Sequence, residues 1–228
     1  MSLDHNASPL NPLPPVVWLL AAPVLLIEAA FQLGARGLAG GAGGVGWRLS
    51  AIENYAFFGQ VFDQMIATGV FPPEHLLRFV TYPFIHANFT HALFVVVFIL
   101  ALGKMVGEVF RIWAVLVVFF GAGIVGAAVY GLILPDPRPL MGGYPAVYGL
   151  IGAFTFLLWV KLAAKGANRY RAFTLIGFLL GVQLLFGVLF GGSNEWVADL
   201  AGFAAGFALS FVVSPGGWER AIAQLRNR

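Results

Sequence analysis

Apolar runs of about 20 residues recur from one end of this chain to the other, and that recurrence limits its fold more than any other feature. A helix rises about 1.5 Å per residue, so about 20 apolar residues cross the hydrocarbon core of a bilayer. A window of about 19 residues picks out six runs, near 15–33, 84–103, 112–134, 144–162, 172–191 and 196–213. Hydrocarbon offers the backbone no hydrogen-bond partners, so a single run can cross only as a helix. Of the 228 residues, 60% are hydrophobic and only 10% charged. A soluble domain carries about a quarter charged residues. The expected fold is therefore all-α: a polytopic bundle of six transmembrane helices.

The first run ends in LGARGLAGGAGGVGW, a density of glycine that a helix sustains only at cost. The connection that follows, 34–83, mixes polar and aromatic residues. Its segment WRLSAIENYAFFGQVFDQM spaces Ile52, Tyr55, Ala56, Phe58, Val61 and Phe62 at mixed helical intervals, which predicts short helices lying in the membrane interface, not a seventh span. The pair Pro72-Pro73 is expected to end this section. The resulting plan has a short segment 1–14, a membrane domain 15–213 and a basic tail 214–228. The tail, with Arg220, Arg226 and Arg228, reads equally as an amphipathic helix on anionic lipid or as ordinary membrane flanking.

Charge placement predicts orientation. The first 15 residues contain no Lys or Arg, which argues against a cleaved signal peptide and for a retained first span. With six spans, Lys104, Arg111, Lys161, Lys165, Arg169, Arg171, Arg220, Arg226 and Arg228 share one side, and Arg36, Arg48, Arg78 and Arg138 share the other. Nine against four puts both termini in the cytoplasm by the positive-inside rule, in a bacterial inner membrane. The starts of the second, fourth and sixth spans then face outward together. The basic residues sit in short loops rather than on one face, so nucleic acid is not an expected partner. Cysteine is absent, which removes disulfides and thiolate chemistry.

Ionisable groups at membrane depth are costly and mark functional sites by default. Glu28, near the end of the first span, is expected to reach the interface by extending its side chain. His86 and His91, in FIHANFTHALFVVVF, lie about 140° apart if both are helical, so they do not form an i, i+4 metal pair. As interfacial anchors they would bond loop backbone. Asp199, three residues into the sixth run, must face the bundle interior and find a donor. Gly202 and Gly206 follow it in GxxxG spacing, and Gly142, Gly143, Gly149 and Gly152 line the fourth run, so these two spans are expected to pack directly together.

These residues resemble the rhomboid family of intramembrane serine proteases, over roughly residues 15–213. The family's second span opens His-x4-His-x3-Asn; this chain reads His86, ANFT, His91, ALF, Val95. The family's fourth span opens Gly-x-Ser-Gly followed by apolar and aromatic residues; here it reads Gly142, Gly143, Tyr144, Pro145, Ala146, Val147, Tyr148. The sixth carries Ala-His-x2-Gly-x3-Gly, read here as Ala198, Asp199, Gly202, Gly206. Trp47-Arg48 also resembles the family's first-loop signature. The resemblance implies a rhomboid-like bundle with a long interfacial first loop.

It also implies that Tyr144 stands at the nucleophile position and Asp199 at the position of the catalytic His. Val95 and Pro145 stand in the former oxyanion region with His91, while His86, Tyr148, Gly142, Gly202 and Gly206 are retained motif positions. A phenol is a poor acyl carrier, a carboxylate a weak base, and Pro145 offers no N–H, so no cleavage is expected. Tyr144 and Asp199 are expected to bond each other across the fourth and sixth spans.

The function implied is that of a pseudoprotease binding a transmembrane client or a subunit of a membrane complex, within the lipid bilayer and without a cofactor. An active protease, a structural subunit and a small-solute or proton pathway are the other readings. A zinc site from His86, His91 and Asp199 suits the metal in ligand type, but chain separation does not bring the three together.

Overall fold

The computed structural model describes residues 12–134, 138–190 and 194–216. It is helical throughout, with one isolated bridge between Phe57 and Leu140. Helix α1 spans Pro15–Ala35, and the long first loop that follows carries α2 (Gly41–Gly44), α3 (Trp47–Tyr55), α4 (Gly59–Thr68) and α5 (Pro73–Thr81). Then come α6 (Phe89–Gly107), α7 (Ile112–Ile133), α8 (Tyr144–Ala164), α9 (Thr174–Phe190) and α10 (Trp196–Val213).

Five of these, α1, α6, α7, α8 and α10, are long and apolar enough to cross a membrane. The expected fifth span is α9, a helix of 17 residues entered through a short 3-10 turn, Arg169–Phe173. The first loop holds short helices, none of them long enough to span. Pro72-Pro73 does not end the loop's structure: Pro73 is the first residue of α5, where its missing N–H is one the helix leaves unpaired anyway. The second span also begins later than residue 84, because Asn88 caps α6 by accepting the His91 backbone N–H at 2.9 Å. His86 therefore precedes the helix. The segment 1–14 and the tail 214–228 lie almost wholly outside the described residues.

Helix α8 is the axis of the bundle. Its residues from Pro145 to Ala153 are all buried, as a helix apolar all round requires. It packs directly against α10, as the glycine spacing predicts. A Cβ on Gly206 would run into the Gly149 backbone, and one on Gly202 into the Pro145 carbonyl. Helix α7 lies against both. On the other side, Val16, Val17, Leu20 and Val24 of α1 join Val95 and Ile99 of α6 in the core.

The first loop is docked rather than loose. Phe57 and Leu140 exchange backbone hydrogen bonds of 3.0 and 2.8 Å, tying it to the segment just before α8. Tyr82, fully buried, donates to the Gly123 carbonyl of α7 at 2.8 Å, and its own carbonyl accepts from Gly142. Burial holds the Tyr82 phenol well above its ordinary pKa, so it remains a donor.

Candidate functional site

The polar residues gather where α6, α8 and α10 begin. His86 is held in the stretch between the Tyr82–Phe84 turn and α6, and it is 1% exposed. Burial, and then the neighbouring His91, push its pKa down to about 4, so the imidazole is neutral at ordinary pH. Its Nε2 accepts a long bond from the Gly143 N–H at 3.4 Å. That is the loop-backbone anchoring expected of it. The angular separation expected between the histidines does not hold, because His86 is not helical. The two rings meet edge to face with centroids 5.1 Å apart.

His91 in turn stacks on Tyr144, centroids 5.1 Å apart and planes 15° from parallel. Phe98 meets the Tyr144 ring edge to face, centroids 6.5 Å apart. A ladder of three rings, His86–His91–Tyr144, thus runs from loop to helix. Gly142 makes room for it: its φ of 91° is left-handed, and a Cβ there would strike the His91 ring. Val95 is fully buried and fills the space under Gly143. Pro145 is the second residue of α8, where the lost N–H interrupts no helical bond.

Asp199 does find a donor, as its depth requires, but not the expected one. It is 4% exposed, and its Oδ2 accepts from Gln183 Nε2 at 2.9 Å. Gln183 Oε1 accepts from the Tyr148 hydroxyl at 3.3 Å. The polar chain across the bundle is therefore Tyr148–Gln183–Asp199, linking α8, α9 and α10, in place of a Tyr144–Asp199 pair. The Tyr144 ring instead contacts His91 and Phe98, both on α6. Asp199 Oδ1 and His91 Nε2 are buried without a hydrogen-bond partner.

Glu28 also departs from expectation. It is 6% exposed and does not reach the interface. Arg48 of α3 grips both its oxygens, at 2.7 and 2.9 Å, and Gln32 donates to it at 2.8 Å. Arg48 also donates to the His86 carbonyl at 2.7 Å and lies over the Phe31 ring. A charge compensated inside the bundle has no need to extend to water. His86 is thereby fixed from α1 through the first loop. Gln183 and the Glu28–Arg48 strut were not foreseen. The signal for Gln183 was a lone amide in an otherwise apolar run. For Arg48 it was a buried acid lacking a local base.

His86, His91 and Asp199 do not form a ligand cluster, and among the described residues no three His, Cys, Asp or Glu side chains stand close enough to hold a metal. The described serines lie elsewhere. Ser50 is exposed on α3, while Ser210 and Ser214 are at the opposite end of α10, Ser210 donating to the Gly206 carbonyl. Ser193 lies outside the described residues.

A family model for the Rhomboid domain matches residues 73–216, which run from α5 through α10. The chain belongs to the rhomboid family. It is an integral membrane protein. A Bacillus subtilis (strain 168) protein named "Putative rhomboid protease YdcA" is 30% identical over 141 residues, covering 59% of this chain. The match spans 66% of that relative's length, just under two thirds. The rhomboid match takes in the ring ladder and the Tyr148–Gln183–Asp199 chain, while the Glu28–Arg48 strut lies before it.

Proposed function

We propose that this rhomboid-family protein binds, or helps assemble, a transmembrane partner without cleaving it. The observation that carries this reading is the setting of Tyr144. At the position that resembles the family's nucleophile stands a phenol stacked on His91, followed by a proline, with the Asp199 carboxyl engaged by an amide rather than poised beside a hydroxyl. Acyl transfer needs a nucleophile with a base in hydrogen-bond reach and donors for the oxyanion. Tyr144, Asp199 and Pro145 supply a weak nucleophile, a weak base and no N–H.

The membrane is a bacterial inner membrane and both termini are cytoplasmic, in keeping with the nine-to-four division of basic residues. Because the chain has no cysteine, single cysteines placed in the loops report their side by labelling with an impermeant maleimide. Labelling of residue 167 from outside the cell would reverse the orientation.

The second reading is an active intramembrane serine protease, favoured by the name of the Bacillus relative. Incubation of the purified chain with a fluorophosphonate probe and with fluorescent transmembrane peptides separates the two. No label and no product are expected, with peptide retained on the protein. A labelled serine or a cut peptide would establish the protease.

A further inference from the structure

Asp199 is buried with half its accepting capacity unused. Oδ2 takes the Gln183 amide and Oδ1 takes nothing. A carboxylate oxygen sealed from water without a donor is costly to maintain. The nearby groups do not relieve it. The Tyr148 proton goes to Gln183, the Tyr144 hydroxyl makes no hydrogen bond to Asp199, and Glu195, the N-cap residue of α10, is itself acidic. Neither of the two ion pairs formed among the described residues involves Asp199. His91 Nε2, at the same end of the bundle, is a second buried atom without a partner.

The surface beside it is apolar and exposed. The first half of α9 is packed on the core through Leu175, Ile176, Leu179 and Leu180. Beyond these, a Cβ on Gly181 would meet nothing within 4 Å, and Val182, Leu185 and Leu189 are exposed. On α10, Trp196 and Leu200 flank Asp199 and are likewise exposed. Gln183 is the polar group that bridges from this half of α9 to α8 and α10.

We propose that Asp199 is the anchor for a partner helix carrying one Lys or Arg inside its membrane segment. An ammonium or guanidinium has donors and no acceptor, the complement of a site whose spare atoms include a carboxylate oxygen. A lone basic residue within a bilayer is itself costly and is relieved by an opposite charge. The proposal rests on the partner-binding reading above and names the partner's chemistry.

The test uses the full chain in phosphatidylcholine nanodiscs and two synthetic single-span peptides. They differ only in having Lys or Leu one to two turns inside one end, and binding is read by energy transfer. The Lys peptide is expected to bind at least about tenfold tighter, and Asp199→Asn to bring the two within about threefold. Equal binding of both peptides to the unaltered chain overturns this proposal and leaves the partner-binding reading standing. Binding of neither overturns both. A Lys preference that survives Asp199→Asn also overturns the proposal. The peptide comparison on the unaltered chain decides the matter even if the variant does not fold.

Discussion

Arg48 holds both oxygens of Glu28, 20 residues away in the chain, and spends a third bond on the carbonyl of His86. The side chains of the pair are 22% and 7% exposed. Removing one member of such a pair leaves the other charged and uncompensated, which costs about 3–5 kcal/mol when fully sealed. Arg48→Ala is expected to lower stability by about 3 kcal/mol. Arg48→Lys should recover only part, since an ammonium cannot span both oxygens and the carbonyl at once. Denaturant titration in mild detergent checks this; an Arg48→Ala variant as stable as the parent would refute it.

Acid should loosen the same region through His86. Its pKa is about 4 in the folded chain and 6.5 in the unfolded one. The unfolded chain binds the proton first, so stability is complete above pH 6.5 and falls as pH drops toward about 4. The fall from this residue amounts to about 3 kcal/mol. His86→Gln is expected to flatten the stability profile across that window. An unchanged slope from pH 7 to 4 in the variant would remove His86 as the cause.

Close approach of α8 and α10 predicts intolerance to size. Gly206→Val sets two methyls against the Gly149 backbone, which cannot rotate away as a side chain can. Overpacking of this kind costs at least about 1–3 kcal/mol. The expected result is a lower melting temperature and early aggregation on size exclusion. Gly181→Val on α9, which meets nothing within 4 Å, is the matched control and should be near neutral.

Gln183 links three helices, and its loss should be felt on α9 first. Gln183→Leu leaves Asp199 with no donor, at a cost of about 1–3 kcal/mol. Hydrogen exchange is expected to rise in the second half of α9 and little in α8. Uniform change across both helices would argue for global destabilisation instead.

Restoring the pattern of active rhomboids tests the proposed loss of cleavage. Tyr144→Ser with Pro145→Gly and Asp199→His should raise fluorophosphonate labelling at residue 144 by at least about 100-fold over the parent. Each single change should do little, because such groups act as a unit. Failure of the triple variant to label, while folded, would mean that the ring ladder or Val95 also blocks the chemistry.

The transmembrane helices were legible because apolar length is a one-dimensional property that bilayer thickness reads directly. So was the contact between α8 and α10, where Gly202 and Gly206 mark a close approach whatever the partner. What escaped were partnerships set by three-dimensional packing. Nothing near Glu28 in the chain announces Arg48, since the hairpin of loop that joins them has to fold first. The rhomboid resemblance brings the positions of Tyr144 and Asp199 together, and a phenol–carboxylate pair would satisfy both groups, but the Tyr144 ring stacks on His91 and Asp199 takes the Gln183 amide instead. Gln183 is hard to read from sequence because an uncharged amide in an apolar run stands out less than a carboxylate. Yet an amide at that depth obeys the same rule of satisfaction. The helical angle between His86 and His91 failed for a local reason: Asn88 starts the helix between them.

The first loop is fastened to the segment before α8 by main chain: Phe57 and Leu140 exchange two backbone hydrogen bonds, and the Gly142 N–H bonds the Tyr82 carbonyl. Bonds of this kind do not depend on which side chain a residue carries, save that proline has no N–H to give. The seam can therefore persist while the residues along it change, and proline at 57, 140 or 142 is the substitution that would unpick it.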